Sequence, residues 1–138
     1  MQVNMTNKCL ELQKIAIKAI KNIDFLKQNN IKIFSSVPDE AKMPYIKLEL
    51  LKMDSIDFAK NLQRFTITFF IATANPDNQQ LIEIIEVLHN DLPNKIKATA
   101  SIENKIKIFN VVNVNYNIKE DLQNNGWFGE FTMSLDIK

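Results

Sequence analysis

Between residues 5 and 26 apolar side chains return every three or four positions, at Cys9, Leu12, Ile15, Ala16, Ala19, Ile20 and Ile23. Glu11, Lys14, Lys18 and Lys21 occupy another face. That spacing predicts an amphipathic helix. Asn29 and Asn30 end it, and IKIFSS (31–36) has the look of a short strand. Next comes SSVPDEAKMPYIKLEL (35–50), where Pro38 and Pro44 bracket a charged turn. Pro44 fixes its own φ and biases Met43 toward extended geometry. The strand that follows should place Ile46, Leu48 and Leu50 on one face and Tyr45, Lys47 and Glu49 on the other.

The stretch 52–61 has the character of a polar loop with isolated apolar residues, Ile56 and Phe58. RFTITFFIATA (64–74) is the most strand-prone segment of the chain. Phe65, Ile67, Phe69 and Ile71 share one face, with Thr66, Thr68, Phe70 and Ala72 opposite. A strand apolar on so much of both faces belongs in the middle of a sheet or against a partner. Asn75 is the expected N-cap of a second helix, with Pro76 in its first position. That helix should run from Asn78 to Leu92 and bury Leu81, Ile84, Ile85, Leu88 and Leu92, with Pro93 as its stop. An extended crossover is expected over 94–105. Alternation over 105–118 sets Ile106, Ile108, Val112, Val114, Tyr116 and Ile118 on one face, with Phe109 and Val111 as apolar exceptions on the other. KEDLQNNG turns the chain. The closing strand points Trp127, Phe131, Met133, Leu135 and Ile137 inward. The predicted order is α-β-β-β-α-β-β. This is an α+β fold with a largely antiparallel sheet and both helices on one face.

Length and composition narrow this further. At 138 residues, 46% hydrophobic and 24% charged, the chain is expected to be one globular domain spanning 1–138. A net charge of +1 supplies no field to recruit nucleic acid or an anionic membrane. Sixteen of the 17 basic residues are lysines, Arg64 being the exception, and lysine lacks the planar fork that grips phosphate in two places. A single cysteine, Cys9, excludes an intrachain disulfide and suits a reducing compartment. The N-terminus has no basic region followed by a long apolar run, and no segment is apolar over the roughly 20 residues a bilayer requires. A cytosolic protein is expected.

Candidate chemistry is sparse. His89 and Cys9 are each the sole residue of their kind and stand far apart, so no zinc set can be assembled. Cys9 lies on the apolar stripe of the first helix, where a buried thiol is inert. Asp54 with Asp57, and Glu120 with Asp121, are paired carboxylates with no basic partner or glycine-rich turn beside them. Gly126 and Gly129 are the only glycines, too few for a phosphate-cradling loop. Phe65, Phe69, Phe70 and Trp127 could make a base-stacking platform, but only Arg64 is near, and core packing accounts for them better. No catalysis and no cofactor are expected.

The turn, together with what surrounds it, resembles the tail-completion, or tail-terminator, family of long-tailed phages and gene transfer agents. The resemblance lies in the amphipathic first helix and in Val37-Pro38, Ala41 and Pro44-Tyr45-Ile46-Lys47-Leu48. It continues through Phe65-Thr66-Ile67-Thr68-Phe69-Phe70, Val87 and Leu92, and Gly126-Trp127-Phe128-Gly129-Glu130-Phe131. Residues 94–105 depart from the family pattern. The resemblance implies a virion assembly protein, a homo-oligomer forming a hexameric ring. That ring would end the tail tube and carry the head-joining surface, with tail tube protein and head–tail connector as partners. It would assemble in the host cytoplasm and reside at the virion neck, without recognising nucleic acid or membrane. The surface implied for subunit or tube contact is Val37, Pro38, Met43, Pro44, Tyr45, Lys47, Glu49, Ile56 and Phe58. A small cytosolic binding module, such as a secretion chaperone, is the alternative, though such chaperones are usually clearly acidic.

Overall fold

The computed structural model describes residues 5–74, 78–123 and 125–138. Its elements follow the order α1 (Met5–Lys21), α2 (Asp24–Gln28), β1 (Lys32–Phe34), β2 (Tyr45–Asp57), β3 (Leu62–Thr73), α3 (Gln79–Glu103), β4 (Ile108–Asp121) and β5 (Gly126–Ile137). The fold is α+β. One five-stranded sheet has the order β1-β2-β3-β5-β4. β1 joins β2 in parallel and every other pairing is antiparallel.

The apolar stripes set the layering. Leu12, Ile15, Ala16, Ala19 and Ile20 of α1 and Leu81, Ile84, Ile85, Leu88 and Leu92 of α3 are buried. They meet Phe65, Ile67, Phe69 and Ile71 of β3 and Phe131, Met133, Leu135 and Ile137 of β5 in one core. Both helices therefore cover the same side of the sheet, α1 over β1 and β2 and α3 over β3, β5 and β4. Lys18 and Glu103 join the two helices in an ion pair. Gly129 lets α3 approach: a Cβ there would stand 3.1 Å from Leu81 Cδ1 and 3.2 Å from Ile85 Cδ1.

Four sequence expectations are corrected. The helix expected over 5–26 is broken at Ile23, which takes extended geometry (φ −80, ψ 117) before α2 begins. The stretch 52–61 is not a loop: β2 continues to Asp57, and only a short connection separates it from β3. Register shifts between Leu48 and Leu50 and between Met53 and Ser55 interrupt the alternation, so the sequence no longer looks like a strand there.

The largest correction concerns Pro93, which does not stop the second helix. α3 runs on to Glu103 with Pro93 inside it, and the expected crossover over 94–105 is mostly helical. An interior proline removes one backbone hydrogen bond and clashes with the preceding turn, at about 3 kcal/mol or more. The added turns bury Ile96, Thr99 and Ala100, and a fully buried isoleucine alone contributes about 1.5–3 kcal/mol. The expected cap at Asn75 and Pro76 lies outside the described residues.

In β4, shifts between Ile108 and Asn110 and between Val112 and Asn115 exchange the faces. Val111, expected outside, pairs with Leu135 on the helix side, and Val112 pairs with Ser134 on the open side. Each extra residue turns the following side chains over.

Asparagine serves here where glycine commonly does. Asn30, Asn61, Asn104, Asn113 and Asn125 all have positive φ, between 50° and 55°, and neither glycine does. Asparagine tolerates this region better than most L-residues. These asparagines fall at the end of α2, the β2–β3 tip, the α3 C-cap, the β4 bulge and the β4–β5 turn.

Candidate assembly surfaces

The nine residues implied by the resemblance do not form one patch. Val37, Pro38, Met43, Pro44, Tyr45, Lys47 and Glu49 cluster where β1 leads into β2, and Ile56 and Phe58 sit at the far end of that strand. A strand of 13 residues spans about 40 Å. Two separate surfaces are therefore present, at opposite ends of the sheet.

At the first, Met43–Pro44 is a cis peptide. Val37, Met43, Pro44, Tyr45 and Lys47 are half-buried, while Pro38 and Glu49 are exposed. Tyr45 sets its ring edge-on to Phe34 with centroids 5.9 Å apart, so this side chain already packs within the chain. Lys47 Nζ lies 5.4 Å from the centre of the Phe70 ring, and Phe70 stacks on Phe128 at 5.5 Å. Tyr45 and Lys47 align with Ala72 and Phe70 on the side of the sheet without helices. Glu49 does not continue their row, because it falls in the first bulge of β2. At the second surface Phe58 is 86% exposed on the β2–β3 connection. Ile56 and Phe58 line a recess with Lys8, Asn61, Gln63, Lys105 and Lys138.

The open side of the sheet holds a feature that sequence reasoning missed. Arg64 donates from Nε and an Nη to the two carboxylate oxygens of Asp136, at 2.7 and 3.0 Å. Asp136 is 7% exposed, and the guanidinium hydrogen bond holds its carboxyl below the usual carboxylate range. Thr66 and Ser134 share a hydrogen bond at 3.0 Å, and Thr68 and Thr132 share one at 3.1 Å. Thr66 also donates to Asp54. The alternation of Thr, Ser and Asp in the two strands was the available signal, but only the β3–β5 register pairs these residues. Beside the ion pair, Asp57, Lys60, Leu62, Asn110 and Val112 complete a cleft of about 350 Å³.

The other candidate groups have structural surroundings. Asp54 also approaches Lys52 at 3.7 Å, and Asp57 accepts the Lys60 backbone N–H at 3.2 Å. Cys9 is half-buried and its thiol pKa is pushed up by desolvation, which disfavours the reactive thiolate. His89 is exposed on α3, beside an apolar groove formed with Ile82, Ile85, Tyr116 and Ile118. Phe65 and Phe69 are buried on the helix side, away from the partly exposed Phe70. They present no shared stacking surface. Among the described residues no helix is long and apolar enough to cross a membrane, and no group of three or more His, Cys, Asp or Glu is placed to hold a metal.

No family model matches the chain, and no curated protein matches it. Its fold is similar to that of a chain in the solved structure "Virion of native gene transfer agent (GTA) particle", with a TM-score of 0.61 and 8% sequence identity. The likeness covers 91% of this chain and 93% of that one, so the two share a fold from end to end.

Proposed function

We propose that this chain is a structural protein of a phage or phage-like particle. In this reading six copies form a ring that ends the tail tube and presents the surface to which the head is joined. The observation that carries the reading is the likeness in fold, over 91% of the chain, to a component of a gene transfer agent virion. The sequence resemblance through Val37-Pro38 and Pro44-Tyr45-Ile46 points the same way from separate grounds. Neither the Arg64–Asp136 cleft nor the groove beside His89 brings together a nucleophile, a base and a site for a reacting atom. The partners are further copies of this chain, the tail tube protein and the head–tail connector. The surfaces at the two ends of β2 are the contact sites in this reading.

Light scattering and negative-stain microscopy of the purified protein, alone and with tail tube protein, test it. Rings or capped tubes are expected, with specific contacts burying about 1,200 Å² or more each. Protein that stays monomeric under both conditions overturns the proposal.

A further inference from the structure

The sheet has two open edges. β4 is the last strand on one side, and among the described residues it pairs only with β5. On the other side β1 covers only Tyr45, Ile46 and Lys47, so that among the described residues β2 from Leu48 to Asp57 is paired on one flank alone. Such edges present rows of unpaired N–H and C=O groups that template another strand.

Three features describe what fits. The first is polarity. β2, β3, β5 and β4 are successively antiparallel, so β2 and β4 run in opposite directions. A second copy set alongside by rotation therefore offers its β2 antiparallel to β4, which continues the alternation. The second is shape: each edge strand carries two register shifts against its inner neighbour, so both edges are lengthened alike. The third is chemistry. Residues 108–118 of β4 contain no charged residue and no proline, the usual protections of a solvent-facing edge. Leu48, Leu51 and Met53 on one margin, and Val111, Val114 and Ile118 on the other, are half-buried against the core. Following the pairings across the sheet, Leu48 lies in the row of Tyr116 and Met53 in the row of Val111, all on the helix side. The two apolar margins are thus in phase.

We infer that the β4 edge of one copy pairs antiparallel with residues 48–57 of β2 in the next, joining the sheets head to tail. A heterologous contact of this kind closes a ring when the rotation between copies closes. The inference rests on the ring reading and specifies its interface.

Cross-linking tests it. In a Cys9→Ser background, Lys52→Cys protein is mixed with Asn110→Cys, Asn115→Cys or Asn117→Cys protein, all at exposed positions. The mixture is assembled, with tube protein where needed, and treated with a short thiol–thiol reagent. A mixed pair is expected to give a covalent heterodimer, and the matching double variant a ladder. Either single variant alone should give neither. Hydrogen exchange should slow on assembly in both 48–57 and β4. Assembly with no mixed cross-link and no protection at these edges overturns edge pairing and leaves the ring standing. Cross-linking of Asn115→Cys protein to itself indicates β4–β4 pairing and also overturns it. Failure to assemble under any condition removes the ring reading and this inference together.

Discussion

The two sides of β3 and β5 are made by the same strands and obey different rules. On the helix side Phe65, Ile67, Phe69 and Ile71 face the same core as Phe131, Met133, Leu135 and Ile137, and all eight are buried. On the open side the rows are Arg64 with Asp136, Thr66 with Ser134, Thr68 with Thr132, and Phe70 with Glu130, and the Phe70 ring stacks diagonally on Phe128. Thr68, Ser134 and Asp136 are also nearly inaccessible there, although no helix covers them. Burial on the helix side comes from packing between layers. On the open side it comes from residues bridging their own strands, and each polar group that loses water gains a partner. One face is held by volume, the other by pairing.

The comparison breaks first at its apolar side. Phe131→Ala removes a fully buried ring and is expected to cost about 3–5 kcal/mol in denaturant melts. A loss below about 1 kcal/mol would mean that the helix layer does not depend on that contact.

Next in size is the ion pair on the polar side. Asp136→Ala should cost about 1.5–3 kcal/mol, the range for a hydrogen bond to a charged group. The pH dependence has a definite sign. The folded-state pKa of Asp136 is lowered, first by the Arg64 hydrogen bond. The stabilisation is therefore complete above the ordinary value of about 3.9 and is lost as pH falls through it toward the lowered one. Stability measured from pH 6 down to pH 2 should decline less steeply in Asp136→Asn than in the parent. Equal slopes would place the acid sensitivity elsewhere.

A smaller coupling is expected between Phe70 and Phe128, whose rings stack at 5.5 Å. A double-mutant cycle to alanine should return about 0.5–1.5 kcal/mol, and a value near zero would show two independent contacts. The smallest effect belongs to Phe58→Ala. Phe58 is 86% exposed, so folding stability should change by no more than about 0.5 kcal/mol. Assembly with copies or tube should weaken. Intact assembly would remove this residue from the proposed contact surface.

The candidate surfaces were only partly legible. The turn at 37–45 stands out in the sequence because two prolines and a tyrosine precede an alternating strand. That it lies about 40 Å from Ile56 and Phe58 follows from β2 continuing through residues that resemble a loop. Tyr45 is the instructive case, since alternation assigns it to a face but cannot reveal that Phe34 of β1 already meets its ring.

Periodicity by itself determined β3 and β5 and the buried stripes of α1 and α3, because in those stretches every residue advances the side chain by a constant angle. It assigned the helix-side core of both inner strands correctly, together with the α+β class. Where one residue is added to an edge strand that relation resets. The faces of Val111 and Val112 were therefore settled by pairing with β5. Pro93 shows the same division in energy. Its cost is local and visible in the sequence, whereas the burial of Ile96 and Ala100 that carries α3 past it exists only once the core is assembled. The four-residue spacing Leu88, Leu92, Ile96, Ala100 was present throughout. Only packing decides that it outweighs the proline.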